Sequence, residues 1–200
     1  YRMQADLNST AAIDNTHQEL DVDIVILDTG IDKDHPDLNV AGGYNFSHGP
    51  SSKWDDGNGH GTHTAGSAAA KDNSEGVVGV APGARLWAAK VLDNRGSGSI
   101  SDIIAGIDWV TQNADKFEVA NMSLGATGSS SSMREAIQSS VNAGVVYVVS
   151  AGNGDTDVYG SDGQLGGGDD IIPAAYPEVA TISALADSDG KAGGNGGETS

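Results

Sequence analysis

The stretch Asp23-Ile-Val-Ile-Leu-Asp28 indicates the fold class of this chain. Its central residues are all apolar, and no alternation with polar residues interrupts them. A strand with this pattern is buried on both faces, which is typical of a parallel sheet covered by helices. The stretch ends in Asp28-Thr-Gly30, so a carboxylate stands where the strand stops.

Outward from this strand, strand-like and helix-like patterns alternate along the chain. Apolar and β-branched runs predict strands over 85–91, 119–124, 145–150 and 179–185. Apolar residues at helical spacing, or small residues in an uninterrupted run, predict helices over 60–70, 100–113 and 130–143. We expect Ser101 and Asp102 to cap the second helix and Gly144 to end the third. The alternation predicts a three-layer α/β fold with a mostly parallel sheet flanked by helices.

Composition narrows the class of protein. The chain has 200 residues, 28 acidic against 10 basic side chains, a net charge of −18 and no cysteine. This length suits a single domain with a sizeable core. We predict no nucleic-acid partner, because binding phosphates needs clustered Lys and Arg. No apolar run approaches the roughly 18 residues of a membrane span, and the lack of cysteine excludes a disulfide scaffold and a thiol nucleophile.

The two ends of the sequence carry expectations of their own. Residues 1–12 are polar and contain no apolar core of a signal peptide, so the chain is either cytosolic or a processed product. The absence of an initiator Met favours a processed or excised chain. Residues 186–200 are rich in Gly and are expected to be flexible.

Polar residues fall at the predicted ends of strands and helices, where parallel α/β sheets bind ligands. They are Asp28, His60, Ser123 and Asn153. A carboxylate, an imidazole and an amide at one edge indicate acyl transfer, with Asp orienting His and the amide stabilising an oxyanion. Taken singly, Asp28 could be a cap, Asn153 a turn residue, and His60 with His63 a metal pair.

Five motifs in a fixed order make the sequence resemble the subtilisin family of serine proteases. They are Asp28-Thr-Gly-Ile with His35-Pro-Asp-Leu38, His60-Gly-Thr-His-Thr-Ala-Gly66, Gly79-Val-Ala-Pro82, Met122-Ser-Leu-Gly125 and Ala151-Gly-Asn153. The resemblance covers roughly residues 20–188. It implies a subtilisin-like fold and an endopeptidase that cleaves peptide bonds with an Asp-His-Ser triad.

The resemblance also assigns roles to positions. Asp28 and His60 resemble the triad residues, Asn153 the oxyanion-hole side chain, and His63 a structural residue of the helix. The resemblance also implies a segment that pairs with the substrate backbone, and a pocket for the substrate residue before the scissile bond. The residues that form them are Ser123, Leu124, Gly125, Ala151 and Gly152. Small residues there favour a bulky apolar substrate side chain.

One family feature is missing from these 200 residues. The family's nucleophile lies in Gly-Thr-Ser-Met-Ala at the start of a late helix, and no such motif occurs. Ser200 follows Thr199 but is preceded by Glu198, and we expect it not to be the nucleophile. Two interpretations follow. In the first, the chain is the N-terminal part of a catalytic domain whose serine lies elsewhere, and it has no activity alone. In the second, it is a catalytically silent peptide-binding pseudo-protease. We favour the first, with the remaining part of the protease as a possible separate chain.

The resemblance implies a calcium site as well. Its ligands would be Asp37, Lys71, Asn73, Glu75 and Val77, with Gln4 from the N-terminus. Two other acidic groups could bind calcium or could simply be solvated. These are Asp55, Asp56 and Asn58 before His60, and Asp155, Asp157, Asp162, Asp169 and Asp170 in the loop after Asn153. The family's cis-proline is matched by Pro173.

The family resemblance finally implies a secreted enzyme with protein substrates, no membrane segment, and a propeptide or a proteinaceous inhibitor as further partners. A generic nucleotide-binding α/β domain is the remaining alternative. It is poorly supported, because no Gly-x-Gly-x-x-Gly follows the first strand and no Gly-Lys-Ser/Thr loop occurs.

Overall fold

Strands and helices alternate along residues 20–184, the part of the chain that this computed structural model describes. The strands are β1 (Asp23–Asp28), β2 (Val40–Asn45), β3 (Arg85–Lys90), β4 (Val119–Met122), β5 (Ala126–Thr127), β6 (Val146–Ser150), β7 (Ile171–Ile172) and β8 (Ala180–Ile182). The helices are α1 (His60–Ala69), α2 (Ile100–Gln112) and α3 (Ser131–Asn142), with a 3-10 turn at Gly160–Asp162. Gln4, Leu185 and residues 186–200 lie outside the described residues.

A six-stranded parallel sheet forms the centre, in the order β2-β3-β1-β4-β6-β8. Its register places Asp28 beside Lys90 and Ile26 beside Asn121. A small antiparallel pair, β5 with β7, lies outside this sheet. Because all six strands run the same way, their carboxyl ends meet at one edge.

The apolar residues of β1 alternate between two cores. Val25 and Leu27 pack with the apolar residues of α2 and α3, such as Ile107 and Ile137. Ile24 and Ile26 pack on the other face with the alanines of α1 and with Leu86. Val25, Ile26 and Leu27 are completely buried. The sheet is therefore covered on both faces, and the three-layer α/β prediction is confirmed.

The sequence patterns missed two pieces of this fold, β2 and the β5–β7 pair. Strand β2 contains Gly42 and Gly43, which weaken any strand signal. A methyl group on Gly42 would lie 2.7 Å from the Trp87 ring, and one on Gly43 would lie 2.7 Å from the ring of Trp54. The glycines are there because two tryptophans pack directly against the strand.

The helix ends agree with expectation in part. Ser99, rather than Ser101, is the N-cap of α2, and Asp102 completes a capping box with it. Gly144 follows α3 with a φ of 108°, as expected of a glycine that ends a helix. The bond between Ile172 and Pro173 is cis, as the resemblance implied. No helix within residues 20–184 is long and apolar enough to cross a membrane.

Candidate active site

A buried carboxylate and a half-exposed imidazole meet at the carboxyl end of β1. The side chain of Asp28 is fully buried, whereas that of His60, the first residue of α1, is 50% exposed. His60 Nδ1 lies 2.8 and 2.9 Å from the two carboxylate oxygens of Asp28. An ionised carboxylate can only accept, so Nδ1 donates. Nε2 has no hydrogen-bond partner among residues 20–184 and remains the atom that can exchange a proton with a substrate or nucleophile.

The close approach of α1 to the end of β1 depends on Gly61. A methyl group there would lie 2.1 Å from the carbonyl oxygen of Gly30 and 3.2 Å from Asp28 Cβ. Gly59, the residue before the helix, has a φ of 101° in the left-handed region that glycine adopts readily. The two glycines around His60 therefore allow its ring to reach the strand end.

Asp56 ties the helix start to the strand end. One of its oxygens accepts from Thr29 Oγ1 and from the N–H groups of Asn58 and Gly59, all at 2.9 Å. The other accepts from the N–H and the hydroxyl of Thr62, at 2.9 and 2.6 Å. Burial opposes ionisation, but these hydrogen bonds outweigh it and lower the pKa of Asp56 to about 2. Asp56 therefore holds the first turn of α1 and the two residues before it, and both of its oxygens are engaged by protein donors.

Thr29 connects this network to the Asp–His pair. Its N–H donates to Asp28 Oδ1 at 2.7 Å, and its hydroxyl oxygen accepts the N–H of Gly61 at 3.0 Å. Its carbonyl oxygen accepts from Lys90 Nζ. Each polar group of Thr29 is thus used, and the residue fixes the orientation of the carboxylate before it.

Lys90 is a buried cation at the end of β3. It is only 5% exposed, and its ammonium also donates to Asn94 Oδ1 at 3.0 Å. Burial lowers the pKa of Lys90, while the negative charges of Asp56, Asp93, Asp28 and Asp55 act in the opposite direction. The cation offsets part of the negative charge that the carboxylates bring to this edge.

Sequence reasoning did not identify Thr29, Asp56 or Lys90 in these positioning roles. A signal for Lys90 existed, since adjacent parallel strands that both end in a charged residue place the two charges side by side, as in the register of Asp28 with Lys90. No capping pattern points to Asp56, because it stands six residues before Thr62 and an N-cap side chain reaches only two or three residues on.

A groove of about 510 Å³ runs from the Asp–His pair across the sheet edge. It is lined by His60 and Thr29 at one side and by Ser123, Leu124 and Gly125 along another. These three residues lie between β4 and β5, because β4 ends at Met122 where its pairing with β6 stops. The structure therefore brings the predicted substrate-binding segment and His60 to one groove, although the predicted strand over 119–124 is two residues shorter.

The other predicted binding residues follow β6. Ala151 N donates to the carbonyl oxygen of Ile182 at 2.9 Å, and Gly152 and Asn153 are exposed. Methyl groups placed on Gly125 and Gly152 would lie 3.8 and 3.7 Å from Ile171 Cγ2. The two glycines thus flank Ile171 on neighbouring segments. Asn153, Ala151 and Gly152 do not line the groove that contains His60.

The predicted calcium loop closes around Asp37, which is 5% exposed. Asn73 Nδ2 lies 2.8 Å from Asp37 Oδ1, and Val77 N lies 3.2 Å from Asp37 Oδ2. Lys71 N donates to the carbonyl oxygen of Asp37, and Glu75 N donates to Asn73 Oδ1 at 2.7 Å. The five predicted ligand residues are thus neighbours, and both carboxylate oxygens of Asp37 and the amide oxygen of Asn73 accept protein N–H groups in this structure.

Within residues 20–184, no three His, Cys, Asp or Glu side chains stand close enough together to hold a metal ion. Asp55 and Asp56 therefore do not belong to such a cluster, and neither do His60 and His63. His63 is exposed on α1.

A covered parallel sheet with an Asp–His pair at its carboxyl edge defines a class of α/β domain built for proton transfer. The profile described as the Subtilase family matches residues 21–196, and the chain belongs to this serine protease family.

Individual relatives of the chain belong to the same family. The chain is 44% identical over 164 residues to Subtilisin DY of Bacillus licheniformis, covering 82% of this chain and 56% of that protein. It is 42% identical over 171 residues to Subtilisin E of Bacillus subtilis (strain 168), covering 86% and 42%. A solved cold adapted subtilisin-like serine proteinase matches with a TM-score of 0.67 and 33% identity, over 80% of this chain and 53% of that one. The chain spans about half the length of the curated relatives it matches.

Proposed function

We propose that this chain supplies the Asp, the His and the oxyanion-binding Asn of a serine endopeptidase, and that the nucleophilic serine belongs to sequence outside these 200 residues. The observation that carries the proposal is the contact of His60 Nδ1 with both oxygens of buried Asp28. A carboxylate at that distance fixes the tautomer of the ring and stabilises the imidazolium that forms when Nε2 takes a proton.

The reaction then proceeds in two proton-balanced halves. His60 Nε2 takes the hydroxyl proton as the serine oxygen attacks the peptide carbonyl, and the oxyanion that forms accepts a hydrogen bond from Asn153. His60 then gives its proton to the leaving amine, which leaves an acyl-enzyme. Water repeats the sequence in the second half and restores the serine. Asp28 accepts the hydrogen bond from Nδ1 throughout.

The substrate is proposed to lie along Ser123, Leu124 and Gly125. An extended peptide can hydrogen-bond to such a segment as an added strand. Gly125 and Gly152 beside Ile171 leave space for a bulky apolar side chain before the scissile bond. A propeptide or a proteinaceous inhibitor would occupy the same groove, because each must present an extended segment to the same backbone.

Calcium is proposed to stabilise the loop at Asp37. The residues that would hold it are Asp37, Lys71, Asn73, Glu75 and Val77, while Gln4 lies outside the described residues. Binding would neutralise the buried carboxylate and lock the loop after α1. Chelation by EDTA is expected to lower the midpoint of thermal unfolding, and added calcium is expected to restore it. An unchanged midpoint in EDTA would show that the loop needs no metal.

The chain is further proposed to act outside the cell. The family to which it belongs supports this. Detection of the protein in culture medium rather than in washed cells would test it.

The experiment for the main proposal compares two lengths of the protein. The 200-residue chain is expected not to cleave a chromogenic peptide, whereas the chain extended through its natural downstream sequence is expected to cleave it. His60→Ala in the extended protein should abolish cleavage. Peptide binding without cleavage by the extended protein would favour the pseudo-protease. Cleavage by the short chain would place the nucleophile within it.

A further inference from the structure

A fully buried carboxylate oxygen lacks a partner in the loop that follows the groove. Asp170 is 0% exposed, and its Oδ1 has no hydrogen-bond partner among residues 20–184, whereas its Oδ2 accepts from Gly166 N at 2.7 Å. An ionised oxygen removed from water without a partner is strongly destabilising. Something that residues 20–184 do not provide must therefore balance this oxygen.

The space in front of this oxygen lies beside Gly167. A methyl group placed on Gly167 would lie 3.1 Å from Asp170 Oδ1 and 3.0 Å from Asp169 Oδ1. Asp162 Oδ2 would be 3.7 Å away. Two carboxylates thus face one small space that exists only because residue 167 has no side chain. The third is too distant to be a ligand in this geometry, which agrees with the absence of a three-carboxylate cluster among residues 20–184.

The two carboxylates are held in place by their other oxygens. Asp169 Oδ2 accepts from the N–H and the hydroxyl of Ser161, at 2.8 and 2.7 Å. The carbonyl of Asp170 accepts from Gly128 N at 2.8 Å, which ties the loop to the segment next to β5. The arrangement therefore presents one oxygen from each carboxylate towards the space beside Gly167.

In the described part of the chain, no cationic side chain pairs with Asp169 or Asp170. Residues 151–190 contain no Lys or Arg. Arg134, which borders the same surface pocket as Asp170, is paired with Glu178 at 2.9 Å.

We propose that a divalent cation of the calcium type binds beside Gly167, held by Asp169 Oδ1 and Asp170 Oδ1. Calcium accepts six to eight oxygen ligands at about 2.3–2.6 Å, including carbonyl oxygens and water, so the two carboxylate oxygens would supply part of its coordination and water or carbonyl oxygens the rest. The site is separate from the Asp37 loop. It anchors the loop that leads into β7, whose Ile171 lies between Gly125 and Gly152. It does not depend on the proposed proteolytic activity.

The first test is calcium titration by isothermal calorimetry of the chelator-stripped chain. Asp170→Asn keeps the shape of the side chain and removes its charge, and Gly167→Ala fills the space. Both are expected to bind one calcium ion fewer than the parent, or to bind it at least tenfold more weakly. Gly168→Ala is the matched control, because nothing lies within 4 Å of its added methyl group. It should bind as the parent does.

The second test is thermal unfolding of the same proteins with EDTA or with calcium chloride. Asp170→Asn is expected to unfold at the same or a higher temperature than the parent in EDTA, and at a lower temperature in calcium. This reversal occurs only if an ion compensates the charge of Asp170.

Three results would overturn the proposal. One is an unchanged calcium stoichiometry and affinity in both variants, which would leave a buried water or a protonated carboxyl in the space. Another is an equal loss of stability in EDTA and in calcium for Asp170→Asn. The last is a loss of calcium in Gly168→Ala as large as in Gly167→Ala. Gly167→Ala and Gly168→Ala still test the proposal if Asp170→Asn does not fold. Neither glycine has a positive φ, so alanine can adopt the backbone conformation at both positions.

Discussion

Asp23 and Asp28 stand at opposite ends of the same buried strand, yet their partners differ in kind. Asp23, 5% exposed, accepts from Arg85 Nε at 3.0 and 3.1 Å and from Trp87 Nε1 at 2.6 Å. Asp28 accepts from the half-exposed ring of His60. Arg85 is always charged, so the pair at the amino end is permanent. Histidine can gain and lose a proton near neutral pH, so the pair at the carboxyl end is the one suited to proton transfer.

The surroundings of the two aspartates follow the same division. The amino end uses its hydrogen bonds to hold β1 against β3 and the chain before β4, where Asp23 N donates to Glu118 Oε2. The carboxyl end uses them to orient one ring, through Thr29 and Asp56. Burial of an aspartate alone therefore does not indicate a catalytic role. A hydrogen-bond partner that can change its protonation state, as histidine can, is the better indicator.

The largest effect is expected from Asp28→Asn in the extended, active protein. The amide would favour the wrong tautomer of His60, and kcat should fall by about 10⁴-fold with little change in KM. Steady-state hydrolysis of a peptide substrate measures it. Asp23→Asn in the same protein should leave kcat within about twofold. A comparable loss of kcat in both variants would remove the distinction between the two ends.

Asn153→Ala should lower kcat by about 10²–10³-fold, because one donor to the oxyanion is lost. KM for the same peptide should change little, since the hydrogen bond forms in the transition state rather than with bound substrate. A raised KM with an unchanged kcat would instead make Asn153 a substrate-binding residue. Thermal unfolding should be unaffected, because the side chain is exposed.

Asp56→Asn should lower kcat by about tenfold, because Thr29 and the start of α1 would shift relative to Asp28. An amide cannot accept all the hydrogen bonds that Asp56 accepts. Neighbouring Asp55, whose carboxylate accepts a single hydrogen bond from the described residues, from Lys33 N at 3.2 Å, provides the matched control. Asp55→Asn should retain the parent's kcat.

Asp56 should also contribute to the pH dependence of stability. Its folded pKa of about 2 lies below the ordinary 3.8, so its stabilisation is present above pH 3.8 and is lost as the pH falls towards 2. After allowance for solvent screening this amounts to about 1 kcal/mol of unfolding free energy. Urea unfolding at pH 5 and at pH 2.5 measures it. An equal acid-induced loss in parent and Asp56→Asn would contradict the assignment.

The smallest effect on catalysis is expected from Asp23→Asn, which should act on stability alone. The hydrogen bonds from Arg85 hold the pKa of Asp23 below 3.8, so its contribution exists above that pH and is lost below it. Near neutral pH the unfolding midpoint should fall by about 5 °C, because several donors lose a charged acceptor. Below pH 3 the difference from the parent should shrink. A constant difference at all pH values would show that the charge of Asp23 is not the cause.

The sequence predicted the elements that carry their own signal. The apolar run of β1 implied a covered parallel sheet, and the order of motifs implied that Asp28 and His60 would meet. It did not predict β2, since Gly42 and Gly43 make sense only once Trp87 and Trp54 are known to pack there. Nor did it predict Thr29 and Lys90 as orienting residues. Their roles arise from neighbours that are distant in the sequence.

Asp28 and His60 are proposed to activate a serine that lies outside these 200 residues. The measurement is covalent labelling of the extended protein by a fluorophosphonate, followed by intact mass and peptide mapping. We predict one adduct, on a serine outside residues 1–200, with a labelling rate that falls by about 10⁴-fold in His60→Ala and is unchanged in Asp23→Asn. Labelling that persists at the parent rate in His60→Ala, or no labelling of the parent at all, would contradict the account.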